Sequence, residues 1–375
     1  MRVGFVVGEE SGERLAVAIA KAIRAERPHA TFHGVGGGAL QELGLKTLFD
    51  PSEIALMGFT AVLPRVPRLL RLIGMTADAL ATAELDVVVL VDAPDFTHRV
   101  AAKLRRRAPN LPIVKVVAPT VWAWRPGRAA ALAPLVDEVL ALFPFEPEVM
   151  KRLGGPPTHF VGHPLIDEVP RPGTAGPADG VLVLPGSRRS EIERLCPAFG
   201  DTLGVLARRG WSGEATVATP PARASLVARE IGAWPVRPDV VTDDVGKRSA
   251  FHGARAALAA SGTVTLELAL NGVPTVVAYK VATLERQIAR RLTIWAIAMP
   301  NIVADWVVMP ELVDDTVRPE RMARMLERLL DDTPERAAQL EGFARVREAL
   351  TTGVPFGSAA AERVLTVADR GRKAG

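Results

Sequence analysis

The sequence predicts an α/β protein of two doubly wound, Rossmann-like domains, each a mostly parallel sheet with helices on both faces. Three observations carry that reading. At 375 residues the chain is too long for one compact core of common size. Short apolar runs ending in glycine turns alternate with helical stretches from residue 2, and the alternation starts again after residue 180, as buried parallel strands and their crossover helices do. Between them, Val169-Pro170-Arg171-Pro172-Gly173-Thr174-Ala175-Gly176-Pro177-Ala178-Asp179 is rich in proline and glycine and marks a boundary. The predicted layout is an N-terminal domain over 1–168, a second over 180–350, and a tail over 351–375 that can pack back on the first.

Residues 2–7 form the first predicted strand, and Gly8-Glu9-Glu10-Ser11-Gly12-Glu13 the loop into a helix. The run Gly34-Val35-Gly36-Gly37-Gly38-Ala39 formally satisfies a dinucleotide-binding spacing. It follows the second strand rather than the first and lacks a strand-ending acid about twenty residues on, so it reads as a glycine turn. Residues 54–74 are apolar, with Met57 and Phe59, and carry Arg65, Arg68 and Arg71 at three-residue spacing. Such a segment fits a membrane interface and fits equally a core helix with a solvated arginine face.

The strand over 86–91 ends in Asp92-Ala93-Pro94-Asp95-Phe96. A carboxylate at the carboxyl end of a parallel strand can act as a general base, while capping the next helix suits one of the two equally well. A strand over 113–117 leads into Ala118-Pro119-Thr120-Val121-Trp122-Ala123-Trp124-Arg125. There Trp122, Trp124 and Arg125 either line an acceptor pocket or pack on the sheet. Residues 140–146, Leu-Ala-Leu-Phe-Pro-Phe-Glu, read as a strand with an abrupt stop.

The second domain opens on Leu182-Val183-Leu184-Pro185-Gly186-Ser187-Arg188-Arg189-Ser190-Glu191-Ile192, a strand, a tight turn and a helix start. Gly186 lets the backbone approach a ligand, Ser187 is placed to cap the helix, and Arg188 adds a forked cation. About seventy-five residues on, a second apolar run ends in Ser261-Gly262-Thr263 and opens a helix bearing Glu267 one turn in. Each turn alone also fits an ordinary strand-to-helix connection. Together, with a carboxylate able to accept from sugar hydroxyls, they favour a nucleotide-sugar diphosphate site. A basic apolar stretch with Arg286, Arg290 and Arg291 runs to Met299-Pro300-Asn301, amphipathic helices fill roughly 319–332 and 334–349, and residues 370–375 read as a frayed end.

Hydrophobic residues make up 48% and charged residues 23%, with no apolar run long enough to span a bilayer and no signal peptide after Met1. The single cysteine, Cys196, excludes an internal disulfide and fits a reducing cytoplasm. A net charge of +4 fits nucleic acid, an anionic membrane surface, or merely an arginine-rich proteome. With one tyrosine and no interleaving of aromatic and basic residues, nucleic acid is disfavoured. His159 and His163 straddle Gly162 and precede Pro164, a poor metal frame, so no metal is expected.

In chain order, residues 8–12, Leu56-Met57-Gly58, residues 92–96, residues 119–125, Phe143-Pro144-Phe145-Glu146, Gly162-His163-Pro164, residues 185–188, Ser261-Gly262-Thr263 with Leu266-Glu267, and Pro300-Asn301 resemble the lipid-A-disaccharide synthase family over nearly the whole sequence. The resemblance implies a GT-B fold, with two Rossmann-like domains facing a central cleft. It implies an inverting transfer from UDP-2,3-diacylglucosamine to 2,3-diacylglucosamine 1-phosphate that releases UDP and makes a β-1,6 disaccharide, without a metal or other cofactor. By the same resemblance Asp95 is the base on the acceptor 6-hydroxyl, with Glu9 and Ser11 beside it. Gly186, Ser187, Arg188, Ser261, Gly262 and Thr263 surround the diphosphate, Glu267 holds the ribose, and Asn301 lies near the diphosphate.

Met57, Phe59, Arg65, Arg68, Arg71, Trp122, Trp124 and Arg125 would meet the acceptor and the membrane. The implied setting is the cytoplasmic face of the inner membrane, with acylated sugars as substrates; a homodimer is left open. Two positions depart from the family pattern: Glu13 stands where aspartate is usual, and Asp314 where glutamine is common. The competing readings are another GT-B UDP-sugar transferase or epimerase with a soluble substrate, and a nucleotide-binding membrane protein without catalysis.

Overall fold

The computed structural model describes residues 1–55, 66–171, 179–281 and 294–374. The chain divides into two compact units, one of Met1–Asp167 with Leu350–Gly375 and one of Glu168–Ala349. In the first, β1 (Arg2–Val7), β2 (Thr31–Val35), β3 (Lys46–Thr47), β4 (Val87–Val91), β5 (Ile113–Val116), β6 (Glu138–Ala141) and β7 (Thr158–Phe160) form a parallel sheet in the order β3-β2-β1-β4-β5-β6-β7.

Every residue of β4 is buried, because successive side chains enter opposite layers and both are covered. Val87, Val89 and Val91 share a core with Val3, Phe5 and Val7, with Ile19 of the helix Glu10–Glu26, and with Val364 of the C-terminal helix Phe356–Ala374. Val88 and Leu90 join Ile73, Val100 and Leu104 from the helices Val66–Thr82 and Pro94–Arg107. The C-terminal helix is also held by charge: Arg363 meets both oxygens of the buried Glu138 at 2.7 Å. Its last turn is not frayed, contrary to the sequence expectation. Residues 370–374 remain helical, with Gly371 packed so closely on Pro112 that a Cβ would lie 2.4 Å from the proline ring.

Two local departures have clear causes. The strand expected within 140–146 begins earlier, at Glu138, and stops at Ala141, because the Glu146 carboxylate takes the N–H groups of Leu142 and Phe143, both at 3.1 Å. The glycine turn after β2 leads into the short helix Gly38–Glu42, whose Ala39 and Leu40 amides donate to Glu13 Oε1 at 2.9 and 3.3 Å. A side chain at Gly37 would collide with that carboxylate. The turn binds the protein's own carboxylate, Glu13.

In the second unit, β8 (Gly180–Leu184), β9 (Ala215–Ala218), β10 (Asp239–Val241), β11 (Ala254–Ala260), β12 (Thr275–Tyr279) and β13 (Glu311–Val313) are parallel in the order β10-β9-β8-β11-β12-β13. Val181, Val183, Leu258 and Val276 pack with Leu195 and Phe199 of the helix Arg189–Arg208 and Leu326 of the helix Pro319–Leu330. In both sheets the strand order reverses once, between β1 and β4 and between β8 and β11. Ligands of such sheets bind beyond the carboxyl ends of the strands at these reversals. Among the described residues, no helix is long and apolar enough to cross a membrane.

Candidate active site

At the first reversal Val7 lies opposite Val91, so the loop after β1 and the turn after β4 share one edge. Asp92 (φ 48°) and Ala93 (φ 41°) are both left-handed, which costs a non-glycine residue about 1 kcal/mol or more. The fold holds them there: the Asp92 carbonyl accepts from Lys115 Nζ and from Thr97 Oγ1, each at 2.8 Å. Lys115 is fully buried and also donates to the Val116 carbonyl at 2.9 Å; burial brings its pKa down to about 7.

This turn starts the helix Pro94–Arg107 and places Asp95 in its first turn. The Asp95 side chain is 85% exposed, and its Oδ1 lies 3.1 Å from Arg128 Nη2. His98 follows one turn on, with Nε2 enclosed and without a hydrogen-bond partner among the described residues. Burial, then the charges of Lys115 and Arg128, lower its pKa to about 4 and keep the ring neutral. Glu9 occupies the N-cap of the helix Glu10–Glu26; partial burial, then the Asp92 charge, raise its pKa. Ser11 is exposed in the first turn of that helix.

Trp122 is half-buried and braced, with its ring edge-on to Phe145 at 5.4 Å and its indole N–H donating to Glu146 Oε1 at 3.3 Å. Glu146 thus receives three N–H donors, yet burial still pushes its pKa up to about 7. Trp124 is covered by the guanidinium of the exposed Arg125, 5.2 Å from its ring centre. Arg68 pairs with Glu53 at 2.6 Å, and Arg71 is exposed on the same helix, Val66–Thr82. Met57, Phe59 and Arg65 lie outside the described residues, as do Leu56, Gly58, Arg286, Arg290 and Arg291.

At the second reversal Gly186 has φ 108°, and a Cβ there would meet Glu191 Oε2 at 2.6 Å. The cap of the following helix differs from expectation. Arg188, not Ser187, is the N-cap residue of Arg189–Arg208. Glu191 supplies the capping oxygen: its Oε2 accepts the Arg188 N–H at 3.2 Å, and its Oε1 pairs with Arg188 Nη1 at 2.7 Å. Because a carboxylate three residues into the helix already serves this amide, Ser187 stands outside and exposed, with its carbonyl accepting from Arg223 Nε at 3.0 Å.

Ser261 turns its hydroxyl to the Ile297 carbonyl at 2.7 Å, Gly262 takes φ 152°, and Thr263 is the N-cap residue of the helix Val264–Leu270. Glu267 Oε2 lies 2.5 Å from Lys247 Nζ. Asp314 Oδ1 accepts the Val281 N–H at 2.8 Å, closing the end of β12.

Asn301, which the resemblance puts near the diphosphate, has its side chain engaged within the fold. It is fully buried; its amide nitrogen donates to the Met309 carbonyl (2.9 Å) and Glu311 Oε1 (2.8 Å), and its oxygen accepts from the Val308 and Met309 amides (2.8 and 2.7 Å). These bonds use the full capacity of a side-chain amide. Glu311 in turn accepts the Ile297 and Ala298 amides. Asn301 therefore acts on the Ser261 turn through Glu311 and Ile297.

The fold joins several residues the sequence did not single out for the site: Lys115, His98 and Arg128 at the first reversal, and Glu191, Arg223, Lys247 and Glu311 at the second. Only Glu191 had a readable signal, as an acid at the third helical position, which sets the N-cap at Arg188.

Two Rossmann-type sheets in one chain, each with its polar residues gathered at the strand reversal, define a GT-B protein. Solved structures agree on the fold: a putative UDP-N-acetylglucosamine 2-epimerase from Listeria monocytogenes has a TM-score of 0.62 at 14% identity, covering 100% of this chain and 97% of that one. MurG of Acinetobacter baumannii has a TM-score of 0.61 at 13% identity, covering 97% of this chain and 99% of that one. The family model of lipid-A-disaccharide synthetase matches residues 3–354. The lipid-A-disaccharide synthase of Rhodopseudomonas palustris (strain HaA2) is 45% identical over 377 residues, covering 98% of this chain and 96% of the relative. The chain belongs to the lipid-A-disaccharide synthase family and is a hexosyltransferase.

Proposed function

We propose that this chain transfers the sugar of UDP-2,3-diacylglucosamine to the 6-hydroxyl of 2,3-diacylglucosamine 1-phosphate, giving lipid A disaccharide 1-phosphate and UDP. The observation that carries the reading is the family match over residues 3–354. The charge of the two strand reversals supports the division of labour: three carboxylates, Glu9, Asp92 and Asp95, gather at the first, and the arginine-bearing turn of residues 185–188 stands at the second. The acceptor belongs with the first unit and UDP with the second.

In the reaction the acceptor oxygen attacks the anomeric carbon, the bond from that carbon to the β-phosphate oxygen breaks, and UDP leaves with the electron pair. Inversion needs this one displacement. Asp95 takes the proton: Arg128 holds its Oδ1, which leaves Oδ2 to accept from the hydroxyl. Glu9 competes for that role because its pKa is raised, and comparing the pH–rate profiles of Asp95→Asn and Glu9→Gln decides between them. On the donor side Arg188, with the amides of the two glycine turns, meets the charge growing on the diphosphate, a task a metal performs in other transferases. Glu267 accepts from the ribose hydroxyls.

The enzyme works at the cytoplasmic face of the inner membrane as a peripheral protein. Exposed Leu70 and Met75, with Arg68 and Arg71 on the same helix, suit an anionic surface. UDP release, measured in detergent with a chelator and with or without the 1-phosphate acceptor, tests the whole reading. Acceptor-dependent release that survives chelation, with a disaccharide product by mass, is expected. Release without acceptor would indicate a hydrolase, and loss of release on chelation would remove the metal-free mechanism.

A further inference from the structure

We propose that Arg223, at the end of the loop after β9, is a second cationic ligand of the donor diphosphate and brings an uncompensated charge to that site; the inference rests on the reading of residues 185–188 as the diphosphate turn. β9 lies beside β8 on the side opposite β11. The turn after β8 is therefore flanked by the Ser261 turn on one side and by the chain leaving β9 on the other. That chain runs through Thr219 and Pro220 into a single helical turn, Pro221–Arg223. Arg223 is half-buried, and its Nε donates to the carbonyl of Ser187 at 3.0 Å.

The charges around the turn make the case. Arg188 is the cation the sequence offers, but it is paired at 2.7 Å with Glu191, whose side chain is only 10% exposed. The pair is neutral overall, and a diphosphate approaching it meets a carboxylate as well as a guanidinium. Arg223 has no carboxylate partner among the described residues, and its only bond there is to a carbonyl. It therefore brings a whole positive charge to the turn. A guanidinium anchored through Nε keeps its two Nη groups for a second acceptor, in a planar fork that matches phosphate oxygens. Anchoring to the backbone of the turn also lowers the entropy lost when that fork closes on a ligand.

The test is UDP and uridine binding to the full-length chain by calorimetry, in wild type, Arg223→Gln and Arg223→Lys, with thermal unfolding of each. Arg223→Gln should weaken UDP about ten- to a hundredfold, leave uridine unchanged, and flatten the dependence of UDP affinity on salt. Arg223→Lys, which keeps the charge and loses the fork, should fall between and keep the salt dependence; it also serves if the glutamine variant does not fold. Unchanged UDP binding in both variants, or equal losses for UDP and uridine, would overturn the proposal, the latter marking Arg223 as a prop for the Ser187 turn. If wild-type protein binds no UDP, the diphosphate reading itself falls, and this inference with it.

Discussion

The two strand reversals of this protein are built alike and charged oppositely. Beyond β1 and β4 the edge carries Glu9, Asp92 and Asp95, and the cations near them are either buried, as Lys115 is, or spent on a carboxylate, as Arg128 is. Beyond β8 and β11 the edge carries glycine turns with Arg188 and Arg223, and its carboxylates are paired, Glu191 with Arg188 and Glu267 with Lys247. One edge is suited to taking a proton and the other to receiving a leaving diphosphate. In the proposed reaction the same Rossmann frame would thus serve either chemistry, with the turn residues deciding which.

The two edges also differ in how they are held. At the first, two consecutive left-handed residues are pinned by Lys115 and Thr97. At the second, strain is relieved by glycine, and the support comes from the buried amide of Asn301 acting through Glu311. Substitutions should therefore separate chemistry from scaffold.

The largest expected effect is on the acidic edge. Asp95→Asn should lower turnover about a thousandfold, within the range of a lost general base, while UDP affinity by calorimetry stays at the wild-type value; a parallel loss of UDP binding would contradict the assignment of roles. Next, Asn301→Ala leaves several buried groups without partners and should destabilise the fold by about 3 to 4 kcal/mol in denaturant unfolding. A variant that unfolds like wild type but loses UDP affinity would make Asn301 a direct ligand instead. Arg188→Ala should cost roughly 3 kcal/mol in the transition state, about a hundredfold in rate, and full turnover would remove Arg188 from the diphosphate site.

A smaller effect is set by protons. Burial raises Glu146 in the folded state to about 7, from 4.5, so its contribution to stability is greatest below 4.5 and is lost as pH rises through 7. His98 and His163 are lowered by burial to about 4, from 6.5, so theirs is present above 6.5 and is lost as pH falls through 4. Between 4.5 and 6.5 stability should rise, the two histidines outweighing Glu146, and between 6.5 and 7 it should level or fall; above 7 Lys115, lowered to about 7 from 10.5, adds stability again. Glu146→Gln should abolish the downturn in unfolding midpoints measured against pH, and a downturn that persists would point to another group. The smallest effect belongs to Ser187→Ala: because Glu191 provides the cap, stability should change by less than about 0.5 kcal/mol, and a loss near 1 kcal/mol would restore Ser187 as the capping residue.

Much of the frame was legible. The apolar runs that became β4, β8 and β11 could be read because a strand buried on both faces must be continuously hydrophobic. The glycine turn at Gly186 and the strand-end position of Asp95 followed from the same logic. Strand ends were harder: β6 stops where Glu146 intercepts two amides, a contact decided by packing rather than by propensity.

What the sequence by itself determined is the alternation of strands and helices, the placing of polar residues at strand ends, and, through the motifs in their order, the family. Periodicity and turn chemistry are local, so they survive in one dimension. Only the tertiary structure decided which charges stand alone and which are neutralised: Arg188 against Glu191, Asp95 against Arg128, Glu267 against Lys247, and Arg223 on the Ser187 carbonyl. Coulomb energy depends on distance and burial, and the last three of these contacts join residues that only the folded sheets bring together.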